Sequence, residues 1–409
     1  HTNMNKYFFI MFFTCLFFIQ ANAQVKVADR SYLYDVGDST VLTGAERCDA
    51  YFPLLDGKRI ALVVNHTSMI GDIHLVDSLH NAGFNIVKIF APEHGFRGDH
   101  SDGDHISNDK DKNTGATIVS LFGSKFKPTA QDLSDVDVVL FDIQDVGVRF
   151  YTFISTMHYV MEACAENNKK FVVLDRPNPN GHYVDGPILD LKYRSFIGMD
   201  PIPMVHGLTV GELAMMINGE KWLSNGIQCD LEVIQCENYN HSCLYQLPIM
   251  PSPNLVSMDA VYLYPSLGLL EGTVVSVGRG THQAFEIFGH PLLKNTDIEF
   301  TPESIKGMSE NPKFLGKKCY GFNVKPFATE YIKYNSSIYL FWLMELYKEL
   351  SPQTEFWRKD VFDKLAGSDK LRNQIEEGLN VEEITSSWLF DLQEYKRMRK
   401  KYLLYPDFE

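Results

Sequence analysis

Asp137-Val138-Val139-Leu140-Phe141-Asp142 is the stretch that decides the architecture. Four consecutive apolar residues between two aspartates, with no polar alternation, describe a strand buried on both faces. Such strands belong to parallel sheets covered by helices on either side. The same signature recurs outward from it. Arg59 to Val64, Asn85 to Phe90 and Ala116 to Phe122 precede it, and Lys170 to Leu174 follows. Between these runs, Ile73 to Asn81 has helical spacing and ends before Gly83, and Tyr151 to Asn167 reads as a second helix. The alternation predicts an α/β fold with a mostly parallel sheet and right-handed crossovers. No Gly-x-Gly-x-x-Gly follows the first strand, so a dinucleotide is not indicated.

Each predicted strand ends in a polar cluster: Asn65 to Ser68, Glu93 to Arg97, Asp142 to Arg149, and Asp175 to Asn180. One such cluster is ordinary turn and cap chemistry. Four at the same topological place point to one crevice, because ligands of open α/β sheets bind beyond the carboxyl ends of the strands.

Within these clusters, Glu93 follows Pro92, which fixes the local backbone. A carboxyl partly enclosed by Phe96 can hold a raised pKa and act as a general acid. The alternative is an ion pair with Arg97. His94, His100 and His105 alternate with Asp99, Asp102 and Asp104, but match no helical zinc or EF-hand spacing, so no metal is expected. Asp142 stands where a strand ends and either faces the crevice or, with Asp145, caps the next helix. Arg149 offers a site for an anion, and Tyr151 a ring or hydroxyl for a sugar. Asn178 lies in the rigid Asp175-Arg176-Pro177-Asn178-Pro179-Asn180-Gly181 loop. His206 either faces the cleft or braces its own loop. Farther on come Asn254, the alternative second carboxylates Glu271 and Glu286, and Arg279 between two glycines. Arg279 can clamp a carboxylate with its bidentate fork, or brace the loop. No Gly-x-Ser-x-Gly elbow, Walker loop or zinc signature is present, which removes support from serine hydrolysis, phosphoryl transfer and zinc hydrolysis.

The rest of the chain sets the organisation. Met4-Asn5-Lys6, the Phe-rich run Tyr7 to Ile19 and Ala21-Asn22-Ala23 have the form of a signal peptide cleaved before Gln24, with residues 1–3 read as a remnant ahead of it. The apolar run is too short to span a membrane. Thr209 and Glu212 form a capping box before a helix over Thr209 to Asn218. Residues 248–291 are rich in Pro and Gly and predict a long irregular segment. From about residue 292 a smaller α+β domain is expected, with helices over Leu340 to Leu350 and Leu371 to Tyr402. The predicted divisions are 1–23, 24–290 and 291–409. A net charge of −14 among 409 residues argues against nucleic acid and an anionic membrane surface. Of seven cysteines, six lie beyond the leader and none forms a Cys-x-x-Cys pair. Cys229, Cys236 and Cys243 are near enough in sequence for one bridge, and buried free thiols are the equal alternative.

Taken in order, these segments resemble the exo-β-N-acetylmuramidases of the NamZ type. The resemblance is carried by Asn65-His66-Thr67-Ser68, Pro92-Glu93-His94-Gly95-Phe96-Arg97-Gly98, Asp142-Ile143-Gln144-Asp145-Val146-Gly147 with Arg149-Phe150-Tyr151-Thr152, and Asp175-Arg176-Pro177-Asn178-Pro179. Pro253-Asn254, Glu271-Gly272-Thr273, Gly278-Arg279-Gly280-Thr281 and Arg399 to Tyr405 continue it. It implies a Rossmann-like domain followed by a smaller C-terminal one, with the active site between them and no cofactor. It also implies release of terminal β-linked N-acetylmuramic acid from peptidoglycan-derived muramyl saccharides, with Glu93 as the acid. The second carboxylate would be Asp142 or Glu271. The lactyl carboxylate would meet Arg97, Arg149 or Arg279, and the acetamido group Asn65, Asn178 or Asn254. Export would place the protein in the periplasm or outside the cell. A non-catalytic sugar-binding protein of the envelope, and a metal-dependent hydrolase using the histidines at 94–105, are the other readings.

Overall fold

The computed structural model describes residues 34–36, 41–96 and 110–409. The leader-like segment, Arg97 and the His100/His105 cluster lie outside them. Six strands build the main sheet: β1 (Arg59–Val64), β2 (Asn85–Ala91), β3 (Thr117–Ser120), β4 (Val138–Asp142), β5 (Lys170–Leu174) and β6 (Asp230–Ile234). Their order is β6-β5-β4-β1-β2-β3, and every neighbouring pair is parallel. All five residues of β4 are buried, as are all of β1 except Arg59. The unbroken apolar runs therefore mean what they predicted: strands covered on both faces.

Helix α1 (Leu75–Asn81) starts two residues later than its periodicity suggests. Ile73 and His74 instead pair with Met69 and Ile70 in a tiny hairpin, and the His74 ring accepts the Val76 amide as the helix cap. Helix α2 (Phe153–Glu166) covers the sheet, and α3 (Val210–Gly219) carries the expected capping box between Thr209 and Glu212. The irregular segment expected over 248–291 needs correction. It contains α4 (Met258–Leu267), capped by Ser257. Residues 260–267 are all buried, so the helix shows no polar stripe, and Pro265 inside it masks it further.

The smaller C-terminal part has an antiparallel sheet of β7 (Ile287–His290), β8 (Ile298–Phe300) and β9 (Cys319–Asn323), in the order β7-β9-β8. Helices α5 (Phe341–Leu350), α6 (Lys359–Ala366), α7 (Lys370–Glu376), α8 (Val381–Ser386) and α9 (Leu389–Arg399) follow it in the chain. The single charged helix expected from Leu371 to Tyr402 is thus three. Gly378 turns the chain at φ +80°, and Asn380 with Glu383 boxes the next start. The six cysteines outside the leader are free, which sets aside the local bridge.

Between β1 and β4 the strand order reverses, the place where open α/β sheets usually receive a ligand. Here it is closed by protein. Arg176, after β5, grips the Asp142 carboxylate with Nε–Oδ1 at 2.6 Å and Nη2–Oδ2 at 3.0 Å, and Nη2 also donates to Met69 O at 3.0 Å. Asp142 is fully buried and Arg176 is 5% exposed.

Next to this pair the C-terminal segment ties into the same strand ends. The Tyr405 hydroxyl donates to Asp175 Oδ2 at 2.6 Å, and Thr209 Oγ1 and the Gly211 amide donate to the same carboxyl. Burial pushes the Asp175 carboxyl up to about 6, more than these donors lower it. An unfolded aspartate titrates near 3.9, so the folded state holds the extra proton between about pH 4 and 6. The contribution of Asp175 is therefore greatest below pH 4 and is lost as pH rises through 6. Above that, the buried carboxylate depends on its donors. Tyr405→Phe should cost about 1.5–3 kcal/mol at pH 8, where a charged acceptor loses its donor, and about 0.5–1.5 kcal/mol at pH 4.5. Urea unfolding at both pH values checks this, and an equal cost at both would refute it.

Candidate active site

A cavity of about 240 Å³ lies where the loops after β2 and β4 meet the segment following α4. Glu93, His94, Phe150, Tyr151, Thr152, Asn254, Tyr264, Glu271, Arg279 and Phe285 are among the residues that line it.

Glu93 is presented by a tight turn. The Gly95 amide returns to Pro92 O at 3.0 Å, and His94 takes the left-handed backbone at φ +68°, uncommon for a residue with a Cβ and concentrated at functional sites. The turn leaves Glu93 partly buried, and Thr152 Oγ1, at the start of α2, donates to its Oε2 at 2.7 Å. The acid is thus fixed from the ends of β2 and β4, the two strands that flank β1 in the sheet.

Glu271 belongs to a short 3₁₀ turn, Gly268–Gly272, that ends at the cavity. Its two oxygens accept from Arg279 Nε at 2.6 Å and Nη2 at 3.2 Å. Burial alone would raise its pKa, but Arg279 above all, then Lys313 and Arg358, outweigh burial and hold it below the usual glutamate value. Arg279 is steered there by its flanking glycines, both at φ +81°. A Cβ on Gly278 would stand 2.6 Å from Ile287, and one on Gly280 2.5 Å from Pro312. The guanidinium also lies over the Phe285 ring, 5.3 Å from its centroid.

Between the two carboxylates runs an aromatic wall. Tyr264 packs edge-on against Phe150, Tyr151 and Phe285 at centroid distances of 5.3, 5.8 and 5.0 Å. Burial pushes the phenols of Tyr151 and Tyr264 up, so both stay neutral. Such rings offer an apolar face to the C–H side of a sugar, and the polar groups at their edges offer hydrogen bonds.

The cavity gathers Glu93, His94, Tyr151, Asn254, Glu271 and Arg279 from the residues singled out in the sequence. Six others do not line it. Asp142 is spent on Arg176. Arg149 is wholly buried: Nη1 donates to Pro187 O and Ile202 O, both at 2.7 Å, and Nη2 to Leu365 O at 2.9 Å. It fastens the two parts of the chain together and presents no fork to an anion. Asn178 is used at both ends, donating to Leu208 O and accepting from the Asn180 amide. Asn65 Oδ1 holds the amide and hydroxyl of Thr67. His206 is buried, accepts the Leu208 amide and faces Asp145 at 3.5 Å, so it braces its loop. Glu286, the other carboxylate considered, bonds Ser257 and Lys325 and also stays out of the cavity. Arg97 lies outside the described residues.

Thr152, Tyr264 and Phe285 were not singled out for any role at the site. Thr152 was visible as the last residue of the Asp142-to-Thr152 segment. Tyr264 was hidden in the helix that the Pro/Gly-rich composition concealed.

The fold and site together define a two-domain α/β protein whose cleft sets two carboxylates around an aromatic wall, the equipment of a glycoside hydrolase. The family model for the N-terminal domain of exo-beta-N-acetylmuramidase NamZ matches residues 60–259, and that for its C-terminal domain residues 262–405. The chain belongs to this family. It is 40% identical over 375 residues to the peptidoglycan beta-N-acetylmuramidase NamZ of Bacillus subtilis (strain 168), covering 87% of this chain and 89% of that one. Two crystal structures of DUF1343 family proteins from Bacteroides fragilis NCTC 9343 are similar, each covering 90% of this chain and 99% of its own. One is 49% identical with a TM-score of 0.83, the other 29% identical with a TM-score of 0.73.

Proposed function

We propose that this protein is an exo-acting glycosidase that releases terminal β-linked N-acetylmuramic acid from the non-reducing end of peptidoglycan fragments. The observation that carries this reading is the placing of Glu93 and Glu271 on one cavity beside aromatic rings. Glu93 stands on the turn at the cavity with Oε2 fixed by the Thr152 hydroxyl, which positions its carboxyl to pass a proton to the departing oxygen. Glu271 is held ionised by Arg279, which suits a carboxylate facing the positive charge that builds at the anomeric carbon. The membership of the family and the identity to the Bacillus subtilis muramidase support the substrate. With Arg149 buried away from the cavity, Arg279, which lines it, and Arg97, which follows the Glu93 turn in sequence, are the two candidates for the lactyl carboxylate. The composition of residues 4–23 supports export to the periplasm or the exterior, where wall fragments occur.

The test is incubation with 4-nitrophenyl β-N-acetylmuramide and with a disaccharide bearing N-acetylmuramic acid at its non-reducing end. The expected result is release of free N-acetylmuramic acid from both, undiminished by exhaustive chelation. Saturable binding without release would favour an envelope sugar-binding protein, and loss of activity on chelation a metal-dependent hydrolase.

A further inference from the structure

Beneath Glu271 lies Lys313, whose charge helps keep that carboxyl ionised but whose hydrogen bonds go to the backbone. Lys313, in the connection between β8 and β9, sends its Nζ to four backbone carbonyls: Thr273 O at 2.7 Å, Val275 O at 3.0 Å, Glu271 O at 3.1 Å and Leu270 O at 3.4 Å. These carbonyls end the 3₁₀ turn and begin the next extended segment, and Leu270 O also accepts the Thr273 amide and hydroxyl. An ammonium has three N–H bonds, and here three contacts are short and one long. The charged groups facing Lys313 are the Glu271 carboxylate, Arg279, and Arg358 just before α6, whose own Nη1 donates to Glu271 O at 3.3 Å.

We propose that Lys313, as an ammonium, is a positioning residue that holds the backbone from Leu270 to Val275 in the arc presenting Glu271 to the cavity. The proposal rests on the glycosidase reading. A neutral amine keeps two N–H bonds and turns a lone pair toward a carbonyl, so deprotonation removes one hydrogen bond and adds a repulsion. Burial pulls the Lys313 ammonium down to about 8, against the pull of Glu271, so this loss falls within reach of an ordinary pH profile.

The experiment is the pH dependence of kcat/KM on a dinitrophenyl β-N-acetylmuramide. That leaving group departs without a proton, which keeps the titration of Glu93 out of the alkaline limb. Wild type should fall above about pH 8. Lys313→Arg keeps its charge beyond pH 12 and should work within roughly tenfold of wild type at pH 7, with its alkaline limb displaced above pH 10. Lys313→Met should lose about 10²-fold in kcat below pH 8, with KM little changed, as expected for a catalytic group displaced by about an ångström, and the deficit should narrow above pH 8 as wild type itself falls. A wild-type profile flat to pH 9.5, or a Lys313→Arg limb still near 8, would overturn the proposal. The arginine variant decides the matter if the methionine variant fails to fold. Absence of any phenol release by wild type at pH 7 would sink the glycosidase reading and this proposal with it; release with an unmoved limb would sink this proposal alone.

Discussion

Glu93→Gln should lower kcat/KM on 4-nitrophenyl β-N-acetylmuramide by about 10²–10⁴-fold, the range attributed to a positioned general acid. The substitution is close to isosteric. The Thr152 hydroxyl that donates to Glu93 Oε2 finds an equivalent acceptor in the glutamine carbonyl, so the turn from Pro92 to Gly95 and the melting temperature should be retained. What is lost is the transferable proton. The loss should therefore shrink on a dinitrophenyl glycoside, whose leaving group needs no protonation. Near-wild-type turnover of the nitrophenyl substrate would remove Glu93 from this role. An equal loss on both substrates would mean that it acts by binding the sugar.

Arg176→Met should be the most damaging change to stability, costing about 3–5 kcal/mol. It leaves the Asp142 carboxylate, 0% exposed, without its bidentate partner. The double variant Arg176→Met, Asp142→Leu should recover most of that loss, since replacing both members of a buried ion pair by apolar groups is often near neutral. Denaturant midpoints of the three proteins decide it. A single variant within about 1 kcal/mol of wild type would show that water or another donor reaches Asp142.

The sheet was legible because burial on both faces writes itself as unbroken apolar runs: β1, β4 and β5 lie where Arg59 to Val64, Asp137 to Asp142 and Lys170 to Leu174 placed them. Helix α3 was legible because its box, Thr209 and Glu212, is local chemistry. Helix α4 was not, since a helix buried all round has no stripe to read. At the site, residue type showed which groups are able to do chemistry but not which are already spent. Asp142, Arg149 and Asn178 carry the same functional groups as Glu271, Arg279 and Asn254. Only their partners from distant parts of the chain, Arg176, the carbonyls of Pro187, Ile202 and Leu365, and Leu208 O, take them out of the cavity. Lys313 gave no signal at all, because its ligands are backbone carbonyls and leave no mark in composition.

The Asp142–Arg176 pair has a consequence for how this protein senses what it binds. In many sheets of this strand order the strand ends are completed by a guest, and the empty protein is correspondingly loose there. Here the chain carries its own counter-ion into that position, linking the ends of β4 and β5 to Met69 beyond β1. The scaffold is whole before any sugar arrives. Ligand energy is then not diverted into finishing the sheet, and remains available for the aromatic wall and the two carboxylates at the cleft.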